Sequence, residues 1–154
     1  MDKKLTHEAA TLGHLDELAA NIRPADRDEA EAAEGSLHDA LLSAFKRSDH
    51  PVALSHNGQL IAVYGVAPLA LLSDRGALWL MGTPMMRRYA GRVFHDAKLF
   101  IAHAREHYPV LVNYVDARNT ESVRWLAALG FVIDPPEPYG VQQLPFHRFH
   151  MGLS

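Results

Sequence analysis

Apolar residues first recur at helical spacing between His14 and about Ile22, where Leu15, Leu18, Ala19 and Ile22 share one face. The stretch LTHEAAT before it (5–11) is a candidate first strand that periodicity alone does not decide. Pro24 restarts the chain, and ADRDEAEAAEG predicts a further helical turn or two, stopped by Gly35. Within it, the acidic run DRDEAEAAE reads as a solvated helix face. Ser36 is placed to cap LHDALLSAFKR, in which Leu37, Leu41 and Phe45 repeat every four residues beside Ala40 and Ala44.

The pattern then turns β-rich. PVALSH and QLIAVYGVAP flank Asn57-Gly58, the pair best suited to a type I′ hairpin turn. After an irregular link around SDRG, ALWLMGT (77–83) predicts a central strand, and Thr83 and Pro84 suit the cap and first turn of a helix. Beyond Gly91, the residues Val93, Ala97, Phe100, Ile101 and Ala104 form one face of a helix ending near His107. PVLVNYVD (109–116) predicts a second buried strand, parallel to the first, because a helix joins the two. Asn119 is placed to cap a helix over 120–129, with Val123, Leu126 and Ala127 inward and Gly130 as its left-handed stop. FVID reads as a strand, PPEPYG as a loop and FHRFHMGL as the closing strand. The sum is an α+β fold, with helices first, a hairpin, then β-α-β-α-β-β.

Composition narrows the function classes. A length of 154 residues fits one domain, residues 1–154, with a core of ordinary size. The net charge of −3 makes no electrostatic case for nucleic acid or an anionic membrane. The absence of cysteine removes disulfides, thiolate metal sites and cysteine nucleophiles together. No apolar run approaches the roughly 20 residues a spanning helix needs, and the start lacks a signal-peptide core. The expected location is the cytoplasm where the chain is made.

Ten histidines raise the question of a metal. His103 and His107 stand one helical turn apart, and His147 and His150 lie on the closing strand, pointing to opposite faces. Neither pair has a third ligand at a recognised spacing, so structural or solvated histidines are expected and no metal is assigned. Glu8, Asp16 and Asp116 are candidate bases for an amine, without a diagnostic neighbour. Trp79 and Trp125 read as core or groove lining.

The stretch NYVDARNTESVRWLAALGF (113–131), with the element order, resembles the GCN5-related N-acetyltransferase (GNAT) superfamily. Its last helix reads Asn-x-x-Ala-x-x-Leu-Tyr-Glu-Lys-Leu-Gly-Phe. Asn119, Leu129, Gly130 and Phe131 sit at the matching spacing, with Ser122 and Trp125 in the Ala and Leu positions. RYAGRV resembles that family's pyrophosphate signature, with Arg88 and Gly91 in register and Val93 in place of the last small residue. There a β-branched side chain is expected to crowd a phosphate.

The resemblance implies a mixed, splayed β-sheet flanked by helices, with acetyl-CoA bound where two strands part. It implies that Leu80, Met81, Arg88, Gly91, Arg92, Val93 and Asn119 hold that cofactor. The family's acid, a tyrosine on the last helix, falls on Leu126, which has no proton to give; Tyr114 and Tyr89 are the substitutes near in sequence. Within the superfamily, the opening stretch with PPEPYGVQQLPFHRF and YGVAP resembles the internal virion (core) protein A family of short-tailed phages and prophages. That likeness leaves two alternatives. One is an acetyltransferase acting on an unknown small-molecule or peptide amine. The other is a non-enzymatic virion, assembly or DNA-ejection component, meeting other virion proteins and packaged in the particle.

Overall fold

Caps and turns place the element boundaries. The computed structural model describes residues 5–153. Strand β1 (Thr6–Ala9) leads to helix α1 (Leu12–Asn21), whose N-cap Thr11 accepts from the His14 N–H at 3.3 Å. Helix α2 (Pro24–Glu34) starts with proline in its first turn and ends at Gly35, whose φ of 90° needs no Cβ. It runs eleven residues, longer than the turn or two expected from its alanine- and acid-rich sequence. Ser36 caps α3 (Leu37–Arg47) through the Asp39 N–H at 3.1 Å.

Strands β2 (Asp49–His56) and β3 (Gln59–Pro68) form the predicted hairpin, with positive φ at both Asn57 and Gly58 as a type I′ turn requires. Strand β4 (Arg75–Gly82), the short α4 (Met85–Arg88) and the long α5 (Ala90–His107) follow. Then come β5 (Val110–Asp116), α6 (Thr120–Ala128), β6 (Val132–Ile133), β7 (Glu137–Tyr139) and β8 (Leu144–Met151). Strand β7 forms inside the segment expected to be a loop; Glu137, Pro138 and Tyr139 pair with β8.

The strands make one sheet ordered β1-β2-β3-β4-β5-β8-β6, with β7 also on β8. Every pairing is antiparallel except β4 with β5, the parallel pair expected from the α5 crossover. That pair holds register only at Arg75–Val110 and Gly76–Leu111, after which the strands part. Helices α1–α3 cover one face, where Leu18, Leu41, Val63 and Trp79 pack together. Helices α5 and α6 cover the other, where Leu78, Ile101, Leu111, Leu126 and Phe149 meet. Among the described residues, no helix is long and apolar enough to cross a membrane.

Candidate active site in the sheet opening

Where β4 and β5 part, backbone groups lose their partners and must find others or line a cavity. Alternate residues of a strand turn both backbone groups to the same edge, so Leu78, Leu80 and Gly82 face the opening. At its root, the Asn113 side chain on β5 donates to the Leu78 carbonyl at 2.8 Å, replacing a missing rung of the ladder. At its far end, the Gly82 N–H donates to Asp26 Oδ2 at 2.9 Å, and the Gly82 carbonyl accepts from the Arg23 N–H. Leu80 lies between them and meets no β5 partner, because the ladder has ended.

A cavity of about 390 Å³ occupies this opening and reaches both faces of the sheet. On one side it touches Met86, Arg87, Ala90, Val93, Ser122, Trp125 and Leu126; on the other it touches Glu29, Glu34, Arg47, Trp79, Tyr114 and Tyr139. Leu80 and Met81 line it, as does Leu126, the residue in the family's tyrosine position. Tyr114 also lines it, stacked on Tyr139 with ring centroids 3.9 Å apart. Tyr89 does not. Its side chain is buried with Leu54, Ile61 and Val93 and tilts against His56 at 5.0 Å.

Helix α2 carries what the sequence reading missed. Asp26, 5% exposed, and Glu29 belong to the run expected to be a solvated face; instead both turn into the opening. Asp26 meets the end of β4 through Gly82. Glu29 Oε1 meets the end of β5, accepting the Asp116 N–H at 2.8 Å. The reason is packing: Ala30 and Ala32 bury the same helix against the sheet side, which carries its i, i+3 acids inward. Burial raises both carboxyls, Glu29 to about 8, and opposes the lowering effect of Arg23 on Asp26 and of the Asp116 N–H on Glu29.

Asn119 joins the two acids. Its Nδ2 donates to Asp26 Oδ1 at 3.1 Å and to Glu29 Oε1 at 3.4 Å. The expected N-cap bond is absent, because this side chain, 3% exposed, is drawn across to α2. Its Oδ1 is buried with no partner among the described residues. Asp116 is buried and held by Arg118 at 2.7 Å, whereas Glu8 is exposed and paired with His14 and Asp16 lies exposed on α1. None of these three lines the cavity.

The start of α5 has the opposite character. Arg88, Gly91 and Arg92 are exposed, no acid lies in the first turn and no side chain caps it. The Val93 N–H is already bonded to the Tyr89 carbonyl, which leaves the earlier N–H groups of Ala90, Gly91 and Arg92 as the donors for an anion. The Val93 side chain packs in the core beside Ile61 and Tyr64 and also borders the cavity. A Cβ added at Gly91 would meet nothing within 4 Å, so the space above this turn is open. Among the described residues, no three histidines or acids gather as a metal site. His147 and His150 both reach Asp134, through its carbonyl and its carboxylate respectively.

An open, mostly antiparallel sheet that splits at its one parallel pair, with helices on both faces, is the GCN5-related N-acetyltransferase fold. Solved structures similar to the chain include a ribosomal-protein-alanine N-acetyltransferase from Brucella melitensis, with a TM-score of 0.70 and 19% identity over 96% of this chain and 99% of that one. Another is a chimera of the spermidine N-acetyltransferase SpeG from Vibrio cholerae and hSSAT, with a TM-score of 0.68 and 12% identity over 97% and 95%. A third is the ribosomal-protein-S18-alanine N-acetyltransferase from Escherichia coli, with a TM-score of 0.63 and 17% identity over 96% and 93%. At the level of sequence, no family model matches the chain and no curated protein does. These likenesses carry the fold.

Proposed function

We propose that this chain binds acetyl-CoA in the sheet opening and transfers the acetyl group to an amine. The observation that carries the reading is the cavity that passes through the sheet beside the unpaired edge of Leu80. The residues present fit such a cofactor. The uncapped start of α5, with Arg88 and Arg92 beside it, suits a pyrophosphate, and Leu80 offers an N–H to a polarised carbonyl. When bound, acetyl-CoA would supply an activated thioester. The chain itself would orient the donor from one face, admit the amine from the other and exclude bulk water between them.

The test is a thermal melt with acetyl-CoA in large excess, since a ligand held only by the folded protein raises its melting temperature. Gly91→Trp is expected to abolish that shift without lowering the basal melting temperature, because the added side chain starts in open space. No shift at millimolar acetyl-CoA would overturn the reading.

A second reading is favoured by Leu126, which is 7% exposed, packs as core and offers no acid to a departing thiolate. In it, the chain is a phage virion, assembly or DNA-ejection component that keeps the fold and meets other virion proteins. The phage likeness of residues 113–131 supports this reading. Turnover of acetyl-CoA with any amine would sink its non-enzymatic form.

A further inference from the structure

The half of the cavity facing α2 and α3 points to the kind of amine that would enter it, an inference that rests on the acetyl-transfer reading. Its helical wall is built of Ala30, Ala33, Ala40 and Ala44, small side chains that leave room for a guest. Opposite them stand Trp79 and the stacked Tyr114 and Tyr139, flat surfaces for an apolar stem. One carboxyl lining this chamber forms no ion pair of its own and keeps an oxygen free: Glu29 Oε1 is taken by N–H donors, Oε2 has no hydrogen bond among the described residues, and Arg118, the cation that feels its charge, is held by Asp116. Asp26 is already matched by Arg23, and Arg23 and Arg87 by Glu121. At the rim, exposed Glu34 and Arg47 lie near Tyr139 with opposite effects on its hydroxyl.

The geometry points to a primary amine on an apolar, otherwise uncharged stem as the acceptor, its ammonium delivered to Glu29. The buried, half-satisfied amide of Asn119 beside Asp26 and Glu29 is the second mark of a site tuned around that carboxyl. Once ionised, which burial delays to a pH of about 8, Glu29 takes one proton from the ammonium. The freed lone pair forms the C–N bond to the acetyl carbon as the thioester C–S bond breaks. The amine's second proton ends on the departing sulfur, so the products are an amide and a free thiol. A polycation is disfavoured, because its second ammonium would either leave water among alanines and aromatic rings or have to reach Glu34 at the rim, where Arg47 opposes it.

The probes are 2-phenylethylamine, spermidine and an alanine-led peptide, each read by thermal shift without donor and by turnover with acetyl-CoA. The expected result is a melting shift with 2-phenylethylamine, lost in Glu29→Gln, and a kcat/KM roughly tenfold or more above spermidine. Glu29→Gln is expected to lose about 10²–10⁴-fold in turnover while keeping its shift with acetyl-CoA. A wild type that binds acetyl-CoA yet prefers spermidine or the peptide overturns the inference, as does undiminished turnover in Glu29→Gln. Absence of the acetyl-CoA shift in wild type sinks the transfer reading itself, which separates the two failures. Should Glu29→Gln fail to fold, Arg47→Glu at the exposed rim serves instead: a several-fold gain for spermidine supports the assignment, and an unchanged preference overturns it.

Discussion

Two helices meet the sheet opening in opposite ways. The start of α5 is exposed, positive and unsatisfied, with Arg88 and Arg92 free of acidic partners among the described residues. The middle of α2 is buried, acidic and almost fully bonded, each acid tied to the end of a different strand. The first arrangement stores capacity for a ligand and contributes little to folding. The second spends its polar groups on the protein's own backbone, and only one oxygen of Glu29 is left over. Loss of a group should therefore cost stability at α2 and binding at α5.

The largest expected effect comes from Asp26→Ala. It strands the Gly82 N–H, the Asn119 amide and Arg23 together, and breaking a buried charged pair typically costs about 3–5 kcal/mol. Urea unfolding measures it; a loss under about 1 kcal/mol would break the contrast between the helices.

Next comes pH. Burial raises the Glu29 carboxyl from 4.5 to about 8, with Asp26, Asp116 and the Asn119 amide facing it. Between those values the unfolded chain has released a proton that the folded chain keeps, so stability falls as pH rises and levels off above about 8. Glu29→Gln should flatten that slope and leave the variant the more stable near pH 8, by an amount on the order of a few kcal/mol. Melts from pH 4.5 to 9 decide it; parallel curves for the two proteins would refute the burial of this carboxyl.

Leu126→Tyr should have an intermediate effect. Overpacking of a buried site costs typically about 1–3 kcal/mol, yet the cavity lies beside this residue and offers the ring a way out. A stable variant with faster acetyl transfer would favour the enzyme reading. A destabilised variant with no turnover would favour the scaffold.

The smallest effect on folding is expected at Arg88→Ala and Arg92→Ala, within about 0.5 kcal/mol of wild type. Their signature is a reduced melting shift with acetyl-CoA, weaker still in high salt. A full shift in the double variant would show that the start of α5 does not hold an anion.

The same contrast explains what was legible in the sequence. The hairpin at Asn57-Gly58, the caps at Ser36 and Gly130 and the α5 crossover announce themselves through local chemistry, and all are present. Gly91 and Arg88 stand out for the same reason, because a turn is written in consecutive residues. Asp26 and Glu29 gave no such sign. An acidic, alanine-rich helix looks solvated until its partners are known, and those partners, Gly82 and Asp116, lie 56 and 87 residues away. One signal was available: Ala30 and Ala33 sit within a turn of Glu29, a small-residue face that suits close approach. Asn119 misled for a related reason, since a good capping residue can be recruited elsewhere by a stronger acceptor.

Asp26 and Glu29 also make α2 a gauge. Three residues of helix advance about 4.5 Å, and that step separates the anchors for the two strand ends. The spread of the two strand ends is thus tied to a helix that is not part of the sheet, the side chains of Asp26 and Glu29 reaching from that step to strands parted by more than the ~4.8 Å of a paired ladder. One residue inserted between the anchors would rotate one by about 100° relative to the other and lengthen their axial step by about 1.5 Å, so the two tethers would no longer meet both strand ends as they do now. Insertions between positions 26 and 29 are therefore the ones in this helix that would shift the two strand tethers against each other.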